Sequence, residues 1–143
     1  MPNSRQTIET TARRWIEEIW RPGDLGTFDE LHAPEFRDRS AAGRGDTRDD
    51  YRRMLRDFYT AFPDFHTVIE DLVIDESRGI AAIRWTARGT HRGAYLGVAP
   101  SGRAVEFAGI EIVRVANGSI VERWGEWDGM GLLARLGLWR PAT

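Results

Sequence analysis

The chain has 143 residues, of which 41% are hydrophobic and 29% are charged, and its formal net charge is −2 at pH 7. This near-neutral balance gives no electrostatic footprint for nucleic acid or an anionic membrane. The absence of cysteine excludes disulfides, thiolate metal sites and cysteine nucleophiles. No composition shift marks a linker, so we expect one domain over residues 1–143, long enough to bury roughly 70% of its unfolded surface.

The first residues are polar and lack the apolar core of a secretory signal, and no run is long enough to span a membrane. We therefore expect a cytoplasmic protein without membrane or nucleic-acid partners. All 20 basic residues are arginine. The list of candidate mechanisms therefore contains no Schiff-base lysine.

Helical periodicity dominates the first half of the chain. Apolar residues recur at helix spacing over residues 4–21, with Asn3 or Ser4 as the cap, and a second short helix is predicted over 24–32, ended by Pro34. A short extended piece over 35–39 and a glycine-rich loop over 41–46 follow. Thr47 then opens a third helix with a capping pattern that reaches Asp50.

From residue 64 onward the period changes from about four to two, which is typical of antiparallel strands. We predict strands over 65–75, 80–91, 103–115 and 119–127, and a closing helix over 130–138. Helices followed by a long meander predict an α+β fold in which the helices cover one face of a curved, mostly antiparallel sheet. Such an arrangement leaves a pocket between the layers, where small ligands bind.

Strand parity sorts the side chains of the sheet into two faces. The odd-numbered residues of 80–91 and 104–115 form the inner face. A two-residue turn at Asn117-Gly118 places Glu111 opposite Trp124, whereas a bulged turn places it opposite Arg123. We favour the bulged turn because it puts four residues inside: Val121, Arg123, Gly125 and Trp127. The outer face keeps Ile110, Ile112 and Trp124, a candidate surface for a homodimer formed through sheet faces.

The inner face predicts a pocket with three polar side chains, Glu111, Arg123 and His91, among the aromatic residues Trp85, Phe107 and Trp127. Burial disfavours a charged carboxylate and a nearby guanidinium favours it, so Glu111 is either an acid/base group or half of a structural ion pair with Arg123. His91 is either a proton carrier or a satisfied structural residue. The other two histidines have no partner at ligand spacing, so we expect no metal site.

Several segments together resemble the SnoaL-like polyketide cyclases. The similar segments follow in the right order and cover essentially the whole chain: Ala61-Phe62-Pro63-Asp64-Phe65-His66, Gly89-Thr90-His91-Arg92-Gly93, Pro100-Ser101-Gly102-Arg103, Gly109-Ile110-Glu111-Ile112-Val113-Arg114, Asn117-Gly118-Ser119-Ile120 and Glu122-Arg123-Trp124 through Asp128 to Gly137. No single one of these segments is specific.

The resemblance implies a cone-shaped α+β barrel of the nuclear-transport-factor-2-like type, with a buried apolar cavity, no cofactor, and oligomers built from sheet faces. The cyclases of this family close polyketide rings by intramolecular aldol condensation, in which an acid/base carboxylate handles an enolisable proton. Close relatives hydroxylate anthracycline-type intermediates in the same cavity. The implied partner is therefore a small-molecule polyketide.

Compared position by position, the resemblance is partial. His91 matches a histidine of the cyclases, and Asp128 matches an aspartate before the closing helix. The acid/base aspartate of the cyclases falls on Gly125, their second histidine on Glu111 and an active-site asparagine on Asp38. The missing carboxylate at Gly125 favours the hydroxylase-type branch over a strict aldol cyclase.

On this hypothesis Glu111, His91 and Asp38 are the catalytic residues. Glu111 is the main acid/base or orienting group, and the other two hold oxygens of the substrate. The predicted substrate-binding residues are Trp85, Phe107, Arg123, Trp127 and Asp128. Aldol cyclisation and a small-molecule-binding domain without catalysis are the alternatives.

Overall fold

The computed structural model describes residues 3–21 and 25–142. The elements, in chain order, are α1 (Arg5–Arg14), a π-helical turn (Trp15–Ile19), α2 (Leu25–Leu31), β1 (His32–Asp38), α3 (Arg48–Ala61), β2 (His66–Asp75), β3 (Ile80–Thr90), β4 (Ala104–Ala116), β5 (Ser119–Trp127) and α4 (Gly129–Arg135). In these two ranges, no helix has both the length and the hydropathy that a membrane span requires.

The first predicted helix is one segment with two geometries. Ser4 caps α1 by accepting the backbone N–H of Thr7 at 3.2 Å, as the sequence predicts. After Arg14 the helix widens into the π-helical turn, which the sequence analysis did not predict. The hydroxyls of Thr67 and Tyr59 donate to backbone carbonyls of this turn. Tertiary hydrogen bonds thus support the wide turn, and it lies against the pocket described below.

The chain changes to strand earlier than predicted. The second helix was expected to reach residue 32 and to end at Pro34, but α2 ends at Leu31 and β1 already begins at His32. The predicted start at residue 24 lies outside the described residues. Pro34 lies within β1, which is an edge strand, so its missing N–H leaves no gap in the interior of the sheet.

Helix α3 confirms the predicted capping pattern. The Thr47 hydroxyl accepts the Asp50 backbone N–H, and the Asp50 carboxylate accepts the Thr47 backbone N–H, both at 3.2 Å. These reciprocal bonds satisfy two backbone donors that the first turn leaves free. The aromatic side of α3 then faces the sheet, with Tyr51 and Phe58 buried.

The five strands form one mixed sheet in the order β1-β5-β4-β3-β2, which is not closed. Strand β1 runs parallel to β5, and the other neighbours are antiparallel. The four helices pack on the sheet, and a core of apolar side chains fills the space between the layers. The predicted α+β cone is therefore confirmed. The predicted inner face is also correct for β3 and β4, where Ile83, Glu111 and Val113 are buried.

The register between β4 and β5 differs from both predicted alternatives. The turn has two residues, with Asn117 at φ 52° and Gly118 at φ 76°, and it pairs Ala116 with Ser119. A bulge one step further leaves Val121 unpaired, so Glu111 lies opposite Gly125 rather than Trp124 or Arg123. The bulge is in the strand rather than in the turn. Arg123 and Gly125 are both buried, so the prediction that they lie on the inner face is correct.

His32 belongs to the core beneath α1. The indole N–H of Trp15 donates to His32 Nε2 at 3.0 Å, and His32 Nδ1 lies 2.9 Å from the carbonyl oxygen of Phe28. Nδ1 therefore carries the proton, and the imidazole is neutral. Burial, the largest cause, lowers the pKa of His32 from 6.5 to about 4. Both ring nitrogens of His32 have hydrogen-bond partners in the core, so a structural role accounts for this histidine.

We expect His32 to make the protein less stable in mild acid. The unfolded chain takes up this proton near pH 6.5 and the folded chain near pH 4, so the contribution is present above pH 6.5 and is lost as pH falls toward 4, by about 3 kcal/mol at most. Urea unfolding of His32→Gln should show a shallower loss over this window. The exposed His66→Gln is the control, and equal slopes in all three proteins would contradict the assignment.

Candidate active site

A cavity of about 570 Å³ lies between the concave face of the sheet and the helices. The π-helical turn and α3 supply one wall, strands β3, β4 and β5 the other, and the 92–103 loop reaches over the rim with Tyr95 and Leu96. The lining is mainly apolar and includes the aromatic residues Trp20, Phe58, Phe65, Trp85, Tyr95, Phe107 and Trp127. Its shape and composition suit a small, largely aromatic ligand.

A buried charged cluster lies at the polar end of this cavity. Arg123 donates to Asp38 Oδ1 at 2.8 Å through Nη1 and to Glu111 Oε1 at 3.1 Å through Nη2. Arg44 donates to the other oxygen of Asp38. Asp38 is fully enclosed, whereas Glu111, Arg123 and Arg44 line the cavity. Asp38 thus orients the arginines from behind, and of the two carboxyls in this cluster Glu111 is the one that lines the cavity.

The second oxygen of Glu111 is buried and has no well-formed hydrogen bond among the described residues. Oε2 lies 2.9 Å from Nε of Arg123, but it has no hydrogen-bond partner of suitable geometry within the described part of the chain. Burial raises the pKa of Glu111 to about 7, against the opposing effect of Arg123, which favours the charged form. A carboxyl with this pKa can both take and return a proton near neutral pH.

The arginine at the centre of the cluster remains charged. Burial alone disfavours its guanidinium charge, but Tyr51, Glu111 and Asp38 outweigh burial, so the pKa of Arg123 is raised. The ring of Tyr51 supports the guanidinium at 5.3 Å, and Arg44 lies 5.8 Å from the same ring. The two arginines are thus held by a carboxylate on one side and an aromatic face on another.

The predicted aromatic residues form a continuous wall. Trp85 meets Phe107 edge-on at 5.8 Å between ring centroids, and Phe107 meets Trp127 at 5.4 Å. Trp85 and Phe107 are buried, whereas Trp127 is 41% exposed and stands at the mouth of the cavity. The wall therefore offers ring surface from the mouth to the charged end.

The structure does not bring His91 to this cluster. His91 follows β3 and bonds to the backbone at Arg103, which is eight residues from Glu111 along β4, on the order of 25 Å at about 3.4 Å per residue. Its Nδ1 accepts the Ser101 backbone N–H at 3.2 Å, and its ring packs against Phe62. His91 is buried outside the cavity lining.

Asp128 also lies outside the lining. Its carboxylate accepts the Gly131 backbone N–H at 2.8 Å and caps α4. The side chain is exposed, so a structural cap explains this aspartate fully. Of the eight residues predicted for the site, five line the cavity, Asp38 lies behind it, and His91 and Asp128 lie elsewhere.

Sequence reasoning missed Arg44 and Tyr51, which belong to the charged cluster or pack against it. It also missed other polar residues that line the cavity: Asp50, Arg53, Asp57, Thr60 and Thr67. Arg44 comes from the 41–46 loop, in which Ala42, Gly43 and Gly45 have positive φ, and the composition of this loop predicts only a turn. Tyr51 follows the aromatic periodicity of α3, which indicates only a packed helix face. Its contact with Arg123 depends on how α3 lies against β5, and the sequence does not reveal this packing. Within the described ranges, no group of three acidic or histidine side chains could hold a metal ion.

Gly125 explains how the carboxyl of Glu111 is accommodated. A Cβ atom at residue 125 would lie 2.1 Å from Oε2 of Glu111 and 2.3 Å from Nη2 of Arg123, far inside van der Waals contact. The carboxyl from β4 therefore occupies the space in which a side chain of residue 125 would begin. Only glycine fits there while Glu111 and Arg123 keep their positions.

Comparisons with known proteins agree with this architecture. The family model described as SnoaL-like polyketide cyclase matches residues 10–136. Among solved structures, IdmH from Streptomyces antibioticus, a candidate polyketide cyclase, is 31% identical; the match covers 91% of this chain and 98% of IdmH, with a TM-score of 0.79.

Two further structures share the fold. TsrD from Streptomyces laurentii is 24% identical over 95% of this chain and 98% of its own, with a TM-score of 0.83. AclR from Streptomyces galilaeus, a candidate hydroxylase, is 23% identical over 98% and 87% of the two chains, with a TM-score of 0.85. No curated protein matches the sequence.

We predict that Gly125→Ala lowers the free energy of unfolding by about 1–3 kcal/mol, because its methyl group overpacks the cluster. In combination with Glu111→Ala, which removes the colliding carboxyl, the penalty should shrink, with a coupling of about 1 kcal/mol or more in a double-mutant cycle. Chemical denaturation gives all four values. Gly129→Ala is the control, since its Cβ would meet the nearest atom at 3.6 Å. Additive penalties would refute the steric link.

Proposed function

Because the chain belongs to the SnoaL-like polyketide cyclase family, we propose that it is an enzyme that tailors an aromatic polyketide by acid/base chemistry at Glu111, without a cofactor. The observation that carries this proposal is the Glu111 carboxyl itself. It lines an aromatic cavity, has one oxygen without a hydrogen-bond partner among the described residues, and its pKa is raised to about 7 by burial.

The reaction that this geometry supports best is an intramolecular aldol cyclisation. The Glu111 carboxylate takes a proton from a carbon next to a ketone, and the electron pair of that C–H bond forms an enolate. The enolate carbon bonds to a second carbonyl carbon of the same molecule, whose C=O electrons move to oxygen. That oxygen takes the proton back from Glu111, so the product is an isomer of the substrate and the carboxylate is restored.

The neighbours of Glu111 have supporting roles in this proposal. Arg123 fixes the carboxyl through its hydrogen bond to Oε1, and Asp38 fixes Arg123 from behind. Phe107 and Trp127 offer ring surface to a planar substrate. His91 and Asp128 have structural partners outside the cavity, so the substrate contacts inferred from the resemblance are assigned here to the lining residues.

The position of Gly125 changes the balance between the two family reactions. The missing carboxylate at this residue was the reason to favour hydroxylation of an anthracycline-type intermediate. The Glu111 carboxyl occupies the space of a side chain at Gly125, and this supports a cyclisation in which Glu111 takes the role of the missing carboxylate. Hydroxylation remains the second candidate. It would require molecular oxygen and a two-electron reductant in addition to the chain.

We expect Glu111→Gln to lower kcat by about 10²-fold to 10⁴-fold on an anthracycline-type polyketide substrate while the fold is retained. The mass of the product distinguishes the reactions: an isomer or loss of water supports cyclisation, and one added oxygen atom supports hydroxylation. Unchanged substrate with the unmodified protein, despite binding, would favour the non-catalytic alternative. Glu106→Gln on the outer face is the matched control and should keep full activity.

The rate should also show the pH dependence expected of a general base, which is active only in its deprotonated form. Glu111 works as the carboxylate, so kcat/KM should fall as pH decreases through about 7, where the carboxyl takes up a proton. The acid limb should disappear in the residual rate of Glu111→Gln. An acid limb near the ordinary pKa of a glutamate would show that burial does not control this group.

We also propose a homodimer through the outer sheet face. An apolar row runs across four strands there, formed by Val73, Ala82, Ile112 and Trp124. Val73 is 66% exposed and Ile112 39%. The charges around this row pair within the face, as in Arg84 with Asp71 and Arg114 with Glu122. A second copy of the same face would therefore meet an apolar row flanked by paired charges.

Ile112→Arg should convert the dimer to a monomer, because it places a charge in the centre of the apolar row. Light scattering coupled to size exclusion measures the mass directly. Leu138→Arg, an exposed apolar residue near the C-terminal end, is the control and should leave the mass unchanged. A monomeric unmodified protein at micromolar concentration would rule out this interface.

A further inference from the structure

Trp85 has a polar atom that its role as an aromatic wall does not use. The side chain is only 6% exposed, and its indole N–H has no hydrogen-bond partner of suitable geometry among residues 3–21 and 25–142. A buried donor without a partner is unfavourable, because it has lost its hydrogen bonds to water. Trp85 lines the same cavity as Glu111, so a ligand in this cavity can reach both side chains.

The sheet places the indole beside the acid/base carboxyl. Trp85 on β3 pairs with Gly109 on β4, and Glu111 follows two residues later on the same inner face. A Cβ atom at residue 109 would lie 2.4 Å from Cζ2 and 2.8 Å from Cε2 of Trp85, so the indole lies directly across this glycine. Only a residue without a side chain allows the indole to lie so close to the strand.

The indole N–H of Trp85 affects the pKa of Glu111. Burial is the largest influence on Glu111 and raises its pKa, while the nearby Trp85 N–H acts in the opposite direction by favouring the carboxylate. The N–H and the Glu111 carboxyl thus lie close enough to interact, although neither the N–H nor Oε2 has a hydrogen bond of good geometry among the described residues. A ketone with an adjacent C–H bond offers both complementary groups: an oxygen that accepts a hydrogen bond, and an acidic hydrogen on the neighbouring carbon.

We propose that the Trp85 indole N–H is a catalytic hydrogen-bond donor that binds the ketone oxygen of an enolisable substrate while Glu111 takes the adjacent proton. This rests on the proposed acid/base function and specifies the group that the site recognises. As the C–H proton moves to Oε2 of Glu111, its electron pair forms the C=C bond of the enolate and the C=O electrons move onto oxygen. The N–H donates to that oxygen and stabilises the negative charge that collects there.

The test uses α-tetralone, a bicyclic ketone with an enolisable CH₂ group, and tetralin, the same skeleton without the oxygen. The unmodified protein should bind α-tetralone more tightly than tetralin and should catalyse exchange of its α-hydrogens for deuterium, followed by NMR. Trp85→Phe keeps an aromatic ring but removes the donor. It should lower both the exchange rate and the preference for the ketone by about tenfold to a hundredfold.

The controls separate this inference from the proposed function. Glu111→Gln should abolish exchange but still bind the ketone in preference to tetralin, because Trp85 remains. If Trp85→Phe does not fold, the indole N–H resonances of isotope-labelled unmodified protein replace it: one should shift with α-tetralone and not with tetralin. Trp139→Phe, remote from the cavity lining, should match the unmodified protein in every measurement.

Two outcomes would overturn the role of Trp85. The first is an unchanged ketone preference and exchange rate in a folded Trp85→Phe protein. The second is equal binding of α-tetralone and tetralin to the unmodified protein, or binding of neither. If polyketide turnover depends on Glu111 in either case, the proposed function stands without Trp85. If no polyketide is turned over but Trp85 still controls the ketone preference, the proposed reaction fails while the recognition of the ketone stands.

Discussion

One buried guanidinium connects the fold to the site. Arg123 on β5 lies opposite Asp38 at the end of the parallel strand β1, and it also holds Glu111 from β4. Burying charges is costly unless each has a partner, and removing one partner leaves the others exposed to the full desolvation penalty. The pairing therefore fixes the position of the edge strand β1 and the orientation of the candidate catalytic carboxyl in a single interaction.

The same pairing sets the charge that Glu111 can carry. With Arg123 and Arg44 both positive and Asp38 negative, an ionised Glu111 makes the cluster neutral, and a protonated Glu111 leaves one positive charge. Burial acts in the other direction and favours the protonated form, so the pKa of Glu111 is raised to about 7 although Arg123 lies beside it. A structural ion pair and an acid/base group are thus compatible descriptions of one carboxyl in this cavity.

Local sequence signals predicted the parts of this arrangement that local interactions decide. The capping pattern at Thr47 and the alternation in β3 and β4 were sufficient to place α3 and the inner face, including Glu111 and Trp85. The register of β5 was not predictable, because the bulge at Val121 has no turn residue to mark it. Asp38 joins Arg123 only through a pairing of strands 85 residues apart, and the 41–46 loop gives no sign that Arg44 turns inward.

Gly125 shows why comparison by sequence position gives an incomplete picture of this site. The position lacks the carboxylate of the family pattern, yet the Glu111 carboxyl from the opposing residue of β4 enters the space where that side chain would begin. The two positions face each other across adjacent strands, so either can supply an oxygen to the same point, but sterics forbid both at once. Under the proposed function, the carboxyl is therefore supplied from the neighbouring strand of the same cavity.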